Sequence, residues 1–179
     1  TARAMVNHAN TLDDERERLR LNEAALPALR KAFGPQHPMV AGVLNNVALA
    51  HRAAGNLEAA ARILQDSLEV HRKNPGPEHP KTAMIMVNLG EVHLAAERYE
   101  QAATLFSDAA AAQDKALGTE HPDSVRTRFR LAQARWELAA SPSERQRARK
   151  LAEQARAGLS ESSAKDTRAE IDAWLESHR

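Results

Sequence analysis

Three histidines have the residue type and spacing best suited to metal binding or acid–base catalysis. His37, His79 and His121 recur every 42 residues, and each is followed by proline. Imidazole is a common metal ligand and a general acid or base near neutral pH. A zinc ion holds each nitrogen at about 2.0–2.1 Å, whereas equivalent points on successive packed helices lie about 8–10 Å apart. One ion cannot bridge two of these histidines, so we expect them to make capping or turn hydrogen bonds.

Carboxylates form the other candidate catalytic groups, in "DDERE" (13–17) and "ESSAKD" (161–166). The first lies at a predicted helix start and the second in a predicted linker, where acidic residues complement the helix dipole or stay solvated. The sequence contains no cysteine, Gly-rich phosphate loop, nucleophile elbow or HExxH motif. These are the motifs that signal phosphate binding, acyl transfer and zinc hydrolysis. We therefore expect no catalytic residue, no metal site and no cofactor, and we do not expect an enzyme.

The elements that position the histidines follow from the 42-residue period. "GPQHP", "GPEHP" and "GTEHP" start at residues 34, 76 and 118. Apolar residues recur at helical spacing between them, and a glycine around residue 55 separates two such runs. Each unit is thus predicted to be two helices, with glycine ending the second helix and the last proline in the first turn of the next. A fixed repeat of this length is typical of an all-α solenoid.

The composition indicates which kinds of binding partner are to be expected. Of the 179 residues, 42% are hydrophobic and 27% are charged. The net charge is +1, so the overall charge of the chain does not favour a polyanionic partner. The segment "ERQRARK" (144–150) is basic but lacks interleaved aromatic residues, so we interpret it as a solvated helix face and expect no nucleic-acid partner. No apolar run of 18 residues occurs, so we expect no membrane segment.

Small and bulky residues occupy matching columns of the aligned units. These columns are Ala48, Gly90 and Ala132, then Ala60 and Ala102, then Leu64 and Phe106. Together they resemble the tetratricopeptide repeat, and "LNNVALAHRAAGNLEAAARILQDSLEV" followed by "GPEHP" is similar to the 42-residue variety of kinesin light chains. The sequence departs from that pattern where a bulky aromatic is usual, at His51, His93 and Arg135.

The resemblance implies an α-α superhelix of about four helix pairs plus a C-terminal capping helix. We place the array at 1–160, with repeats at approximately 1–36, 37–78, 79–120 and 121–160, and a linker and capping helix at 161–179. The last pair fits only if its turn gains four residues, which puts Ala148 in the Ala60 column. Pro27 falls inside a helix of the first pair, where we expect a kink. Trp174 is expected to pack in the core, and Trp136 either caps the core or stacks on a ligand.

The resemblance also implies that the first helix of each pair lines a concave groove that binds a peptide. Core columns keep their residue type, whereas the columns on this face vary, as expected of a groove that reads different ligand groups. Asparagine amides can donate to and accept from a peptide backbone, but exposed asparagines fit an ordinary polar surface or helix-capping competition equally well. The arginines favour a mildly acidic peptide or a C-terminal carboxylate. The predicted groove residues are Asn45, Asn46, Leu49, Arg52, Asn88, Glu91, Arg130 and Gln133.

Two functions are consistent with this reasoning. The first is a non-catalytic protein–protein interaction scaffold that binds a peptide or protein segment in the groove. The alternative is a C-terminal regulatory or self-association module of a larger bacterial signalling protein, such as a serine/threonine kinase or a transcriptional regulator, which leaves homo-oligomerisation open. The richness in Ala and Arg indicates a high-GC bacterium and hence a cytoplasmic location.

Overall fold

The computed structural model describes residues 1–12, 14–159 and 165–178. Within these ranges the regular secondary structure consists of α-helices joined by turns, with no strand, so the predicted all-α class is confirmed. The linker predicted around "GLSESSAKD" (158–166) lies mostly outside the described residues. The helices are α1 (Ala2–Ala9), α2 (Glu15–Phe33), α3 (Pro38–Ala53), α4 (Leu57–Lys73), α5 (Pro80–Ala95), α6 (Tyr99–Leu117), α7 (Pro122–Leu138), α8 (Pro142–Ala157) and α9 (Lys165–Ser177).

The helices divide between two compact units, Thr1–Pro77 and Glu78–Arg179. In the first unit α1 packs on α2, α2 on α3 and α3 on α4. In the second unit the same serial packing joins α5 to α6, α6 to α7, α7 to α8 and α8 to α9. Each helix therefore packs mainly against its neighbours in sequence, as a helical repeat requires.

The three periodic histidines begin the first helices of their pairs. In His37, His79 and His121 the side-chain Nδ1 accepts a hydrogen bond from the backbone N–H two residues later, at 3.1, 3.1 and 3.2 Å. The proline after each histidine occupies the first turn of α3, α5 or α7, where its missing N–H removes no helical hydrogen bond. The predicted capping role of the histidines is thus confirmed.

The turn inside a helix pair uses one left-handed residue. Gly55, between α3 and α4, has φ of +78°, as predicted for a glycine cap. At the same place in the next pair stands Glu97, with φ of +57°, so the turn keeps its geometry without a glycine. Glycine also ends second helices: Gly34 and Gly118 cap α2 and α6, whereas α4 ends at Lys73 with Asn74 as its C-cap. The predicted glycine stop therefore holds for two of the three copies.

The core of the first unit lies where α3 meets its neighbours. α2 continues through Pro27, which is exposed, and buries its opposite side. Ser67 of α4 donates its hydroxyl to the carbonyl oxygen of Ala41 at 2.9 Å, so this buried polar group is satisfied. The central buried residues are Ala25, Leu26, Leu29, Val40, Val43 and Val47, with Met5 and Val6 of α1 packed against them.

Two apolar clusters lie among the described residues of the second unit. One joins α6 to α7 and contains Ala102, Phe106, Leu131 and Ala134. Small residues let the helices approach closely: the alanines of the aligned column, Ala60, Ala102 and Ala148, are all buried. The alignment that added four residues to the last turn therefore placed Ala148 correctly. The other cluster, at the carboxyl end of the unit, consists of Val125, Phe129, Ala132, Ala152, Ala155, Leu159 and Ile171.

α9 completes this second cluster. Ile171 is fully buried, and Trp174 and Leu175 pack against the same core. Polar contacts flank this apolar face: Arg156 of α8 pairs with Asp172, and the Arg168 guanidinium donates to the carbonyl oxygen of Leu159 at 2.5 Å. In the second unit α9 therefore covers the α7–α8 pair, as expected of a capping helix.

Candidate peptide-binding surface

In the first unit, the predicted groove residues lie on α3. Asn46, Leu49 and Arg52 are half-buried, so each presents part of its side chain to solvent. The Asn46 amide donates to the side-chain oxygen of Asn10, which follows α1, at 3.2 Å. Asn45 is only 5% exposed, because this side of α3 is packed inside the fold. Asn45 thus offers almost no surface to a ligand, unlike the other three.

In the second unit, the predicted residues come from the first helices of two successive pairs. Asn88 and Glu91 lie on α5, and Arg130 and Gln133 lie on α7; all four are half-buried. The Arg130 guanidinium donates to the Gln133 side-chain oxygen at 2.9 Å and lies 3.8 Å from the Glu91 carboxylate. The structure therefore brings three of the four together across the α5–α7 contact.

Arg130 has a further partner that the repeat pattern did not reveal. Its guanidinium donates to the Glu170 carboxylate of α9 at 2.7 Å. Arg130 is thus placed between two carboxylates, those of Glu91 and Glu170. A ligand carboxylate would have to compete with Glu170 for this arginine, so Arg130 is less available for acidic ligands than the sequence indicated.

The two tryptophans pack together at the end of the second unit. Trp174 makes an edge-to-face contact with Phe129, with ring centroids 5.8 Å apart, and stacks on His178 at 4.3 Å. This confirms its predicted core role. Trp136 is half-buried and makes edge-to-face contacts with Trp174 at 5.6 Å and with His178 at 5.0 Å. The Arg145 guanidinium lies 5.5 Å from the centre of the Trp136 ring.

Carboxyl groups with lowered pKa values occur where helices meet. A hydrogen bond from the Ser141 hydroxyl, joined by one from the backbone N–H of Ala140, lowers the pKa of Glu144. A hydrogen bond from Arg156 lowers the pKa of Asp172.

Among the described residues, no three His, Cys, Asp or Glu side chains are grouped closely enough to hold a metal ion. No helix in the described ranges is long and apolar enough to cross a membrane.

Comparison with known proteins gives matches along nearly the whole chain. The family model described as tetratricopeptide repeat matches residues 1–73, 39–115 and 82–161. A crystal structure of nearly identical TPR-like repeats assigned to a kinesin light chain of Podosopora anserina is similar, with a TM-score of 0.79 and 23% identity over 98% of this chain and 84% of that chain. The crystal structure of BtubC (BKLC) from P. vanneervenii has a TM-score of 0.78 and 20% identity over 93% of this chain and 65% of that chain.

No curated protein gives a significant sequence match. At these identities the structural matches show the fold alone, which is that of an all-α tetratricopeptide superhelix. Proteins of this fold are typically non-catalytic, and their repeats generally act as protein–protein interaction scaffolds. The three family-model matches overlap and together span residues 1–161. The chain therefore belongs to the tetratricopeptide repeat family, and its fold is similar to that of kinesin light chain-like repeats.

Proposed function

We propose that this chain is a protein–protein interaction scaffold that binds a peptide or protein segment along its first helices, the surface predicted as the groove. One observation carries the proposal: Glu91 of α5 and Arg130 of α7 approach to 3.8 Å. These residues belong to successive repeats and to columns that vary between them. This contact supports the proposal that the variable columns of neighbouring first helices in the second unit make up one polar surface, which the ligand follows from repeat to repeat.

The chemistry of this surface suits an uncharged polar segment. Asn88 and Gln133 are half-buried amides, and an amide can donate to and accept from a peptide backbone. Gln133 uses its oxygen to accept from Arg130, and its NH₂ group donates to no group in the part of the chain that the structure describes. Because the two carboxylates of Glu91 and Glu170 flank the single guanidinium of Arg130, the local charge is negative and disfavours a ligand carboxylate. Backbone hydrogen bonding is therefore proposed to outweigh carboxylate recognition.

The first unit offers a matching surface on α3. Leu49 presents a half-buried apolar side chain between the polar Asn46 and Arg52. An apolar contact of this kind contributes about 25 cal/mol for each square ångström removed from water. We propose these three residues as a separate contact surface of the first unit and leave out Asn45, which is buried.

The proposal can be tested with a random peptide library displayed on phage and selected on the whole chain. Peptides enriched on the wild type are synthesised, and their affinity is measured by fluorescence anisotropy for the wild type and for the double variant Asn88→Ala, Gln133→Ala. We expect the double variant to bind at least about tenfold more weakly, since it removes two hydrogen-bonding amides.

The matched control is Gln65→Ala, Gln101→Ala, which removes two exposed amides from the second helices α4 and α6. Its affinity should equal that of the wild type. Circular dichroism establishes that both variants are folded. Equal affinities for the two double variants, or no peptide enriched over a selection without protein, would contradict binding at the first helices.

We keep self-association within a larger signalling protein as the alternative function. Four large apolar side chains remain well exposed among the described residues: Phe33, Met84, Leu117 and Leu138. Light scattering on the purified chain tests it. A dimer that becomes a monomer when these residues are replaced by serine supports self-association, and a monomer in both cases contradicts it. The repeat boundaries, the bacterial source and the cytoplasmic location remain predictions.

A further inference from the structure

A second surface lies next to the predicted groove residues, at the end of the second unit. It is a cleft of about 930 Å³ where α7 ends, α8 begins and α9 ends. Trp136 and His178 line one part of it, and the outward face of α8 lines the rest. None of the predicted groove residues takes part in this lining.

The cleft is strongly basic because α8 contributes four cations, Arg145, Arg147, Arg149 and Lys150, against Glu153. Arg149 pairs with Glu153, with 3.2 Å between the guanidinium Nε and the carboxylate oxygen. The other three cations form no ion pair with any residue in the described ranges. The cleft thus concentrates about three positive charges in a chain whose net charge is +1.

The aromatic side chains limit what the cleft can bind. The Arg145 guanidinium lies over Trp136, and Trp174 stacks on His178, so one face of each lining ring is already covered by protein. Proteins that bind single-stranded nucleic acid stack successive bases on open aromatic faces along an extended basic groove. Here the basic residues all come from a single helix, α8, and the rings are packed against their neighbours. Carboxylates, which need no stacking face, fit the cleft better than bases do.

We propose that this cleft binds an acidic segment of a partner protein. Carboxylates of the segment pair with Arg145 and Lys150, because charge-assisted hydrogen bonds to Arg and Lys are the strongest that a half-exposed site offers. The exposed part of Trp136 supplies an apolar contact beside these charges. The volume falls in the range of about 300–1,000 Å³ that binding sites commonly have. The cleft adjoins the surface along the first helices, because Trp136 lies on α7 one turn after Gln133. Its cations come from α8 alone, so variants of α8 test this proposal separately from the proposed function.

The test uses the whole chain and three fluorescein-labelled probes: hexaglutamate, hexaglutamine and a single-stranded dT12 oligonucleotide. Fluorescence anisotropy is measured at about 50 and 200 mM salt, because screening weakens ion pairs over that range. We expect hexaglutamate to bind at least tenfold more tightly than hexaglutamine, with weaker binding at the higher salt. Arg145→Glu, Lys150→Glu should lower the affinity for hexaglutamate at least tenfold.

The control variant is Arg62→Glu, Arg72→Glu, which makes the same change in net charge at two exposed arginines of α4. It should retain most of the affinity. Arg145→Gln, a milder change, should weaken binding in the same direction if the double variant folds poorly. Equal losses in the cleft and control variants, no preference for hexaglutamate over hexaglutamine, or tighter binding of dT12 than of hexaglutamate would each overturn the proposal.

Discussion

The ring of Phe106 packs directly against Gly90: a Cβ atom at Gly90 would lie 2.7 Å from Cε1 of that ring. Gly90 is on α5, Phe106 is fully buried on α6, and both belong to the repeating columns. In the preceding pair the same columns hold Ala48 and Leu64, so the glycine accompanies the larger partner. Glycine leaves this space for the ring, which is fully buried.

Gly90→Ala should destabilise the chain. Overpacking a core costs about 1–3 kcal/mol, which exceeds the roughly 1 kcal/mol that alanine gains over glycine inside a helix. Gly42→Ala is the matched control, since a Cβ at this helical glycine of α3 meets nothing within 4 Å. Urea unfolding should show a lower midpoint for the first variant and a higher one for the second. A higher midpoint for both would show that the Phe106 ring can move aside.

The N-terminal cap of α5 depends on His79. His79→Ala removes the acceptor for the Lys81 N–H and should cost about 1 kcal/mol, the usual loss for an N-cap side chain. His79→Asn provides another short acceptor and should recover most of that stability. Thermal unfolding followed by circular dichroism measures both variants. If alanine and asparagine lower Tm equally, the hydrogen bond does not contribute.

Glu144 should make the α7–α8 junction sensitive to acid. Its pKa is lowered in the folded chain, first by the Ser141 hydroxyl and then by the Ala140 N–H. A carboxyl with a depressed folded pKa stabilises the fold above its unfolded pKa, about 4.3, and loses that contribution as pH falls through the folded value. Glu144→Gln keeps an acceptor but cannot ionise. The Tm of the wild type should exceed that of this variant at pH 7, and the difference should shrink by pH 3. A difference independent of pH would contradict this.

Docking of α9 depends on Ile171, which is fully buried against α7 and α8. Ile171→Ala should weaken docking by about 2–5 kcal/mol, and Ile171→Val by about 0.5–1.5 kcal/mol, as expected from the buried methyl groups that each removes. Amide hydrogen exchange is the measurement. Exchange should accelerate over 165–178 in the alanine variant and far less in the valine variant, while 80–117 stays protected. Uniform acceleration across the second unit would show that α9 is not a separable element.

The fold was largely predictable because its determinants repeat. The 42-residue period and the small-residue columns predicted the all-α class, and the proline after each histidine predicted where α3, α5 and α7 begin. These signals are local, so the sequence displays them directly. The expected glycine stop was wrong for α4, whose C-cap is Asn74, two residues before the glycine.

The candidate surface was less predictable because it depends on contacts between distant residues. Asn45 was placed on the open face, yet it is buried, since periodicity alone does not fix how far neighbouring helices cover α3. Glu170 was missed because α9 has no counterpart in the repeat alignment that would predict its register against Arg130. The basic segment 144–150 lacks aromatic residues in sequence, but folding brings Trp136 and His178 beside it.

The shared position of Arg130 has a thermodynamic consequence. This one guanidinium contacts Glu170 of α9 and also belongs to the surface of α5 and α7 that is proposed to bind a ligand. A ligand that draws Arg130 away from Glu170 must weaken the docking of α9. By linkage, undocking α9 must then raise the affinity for that ligand by the same factor. Ligand binding and the attachment of the last helix are in that case two readouts of one coupled equilibrium.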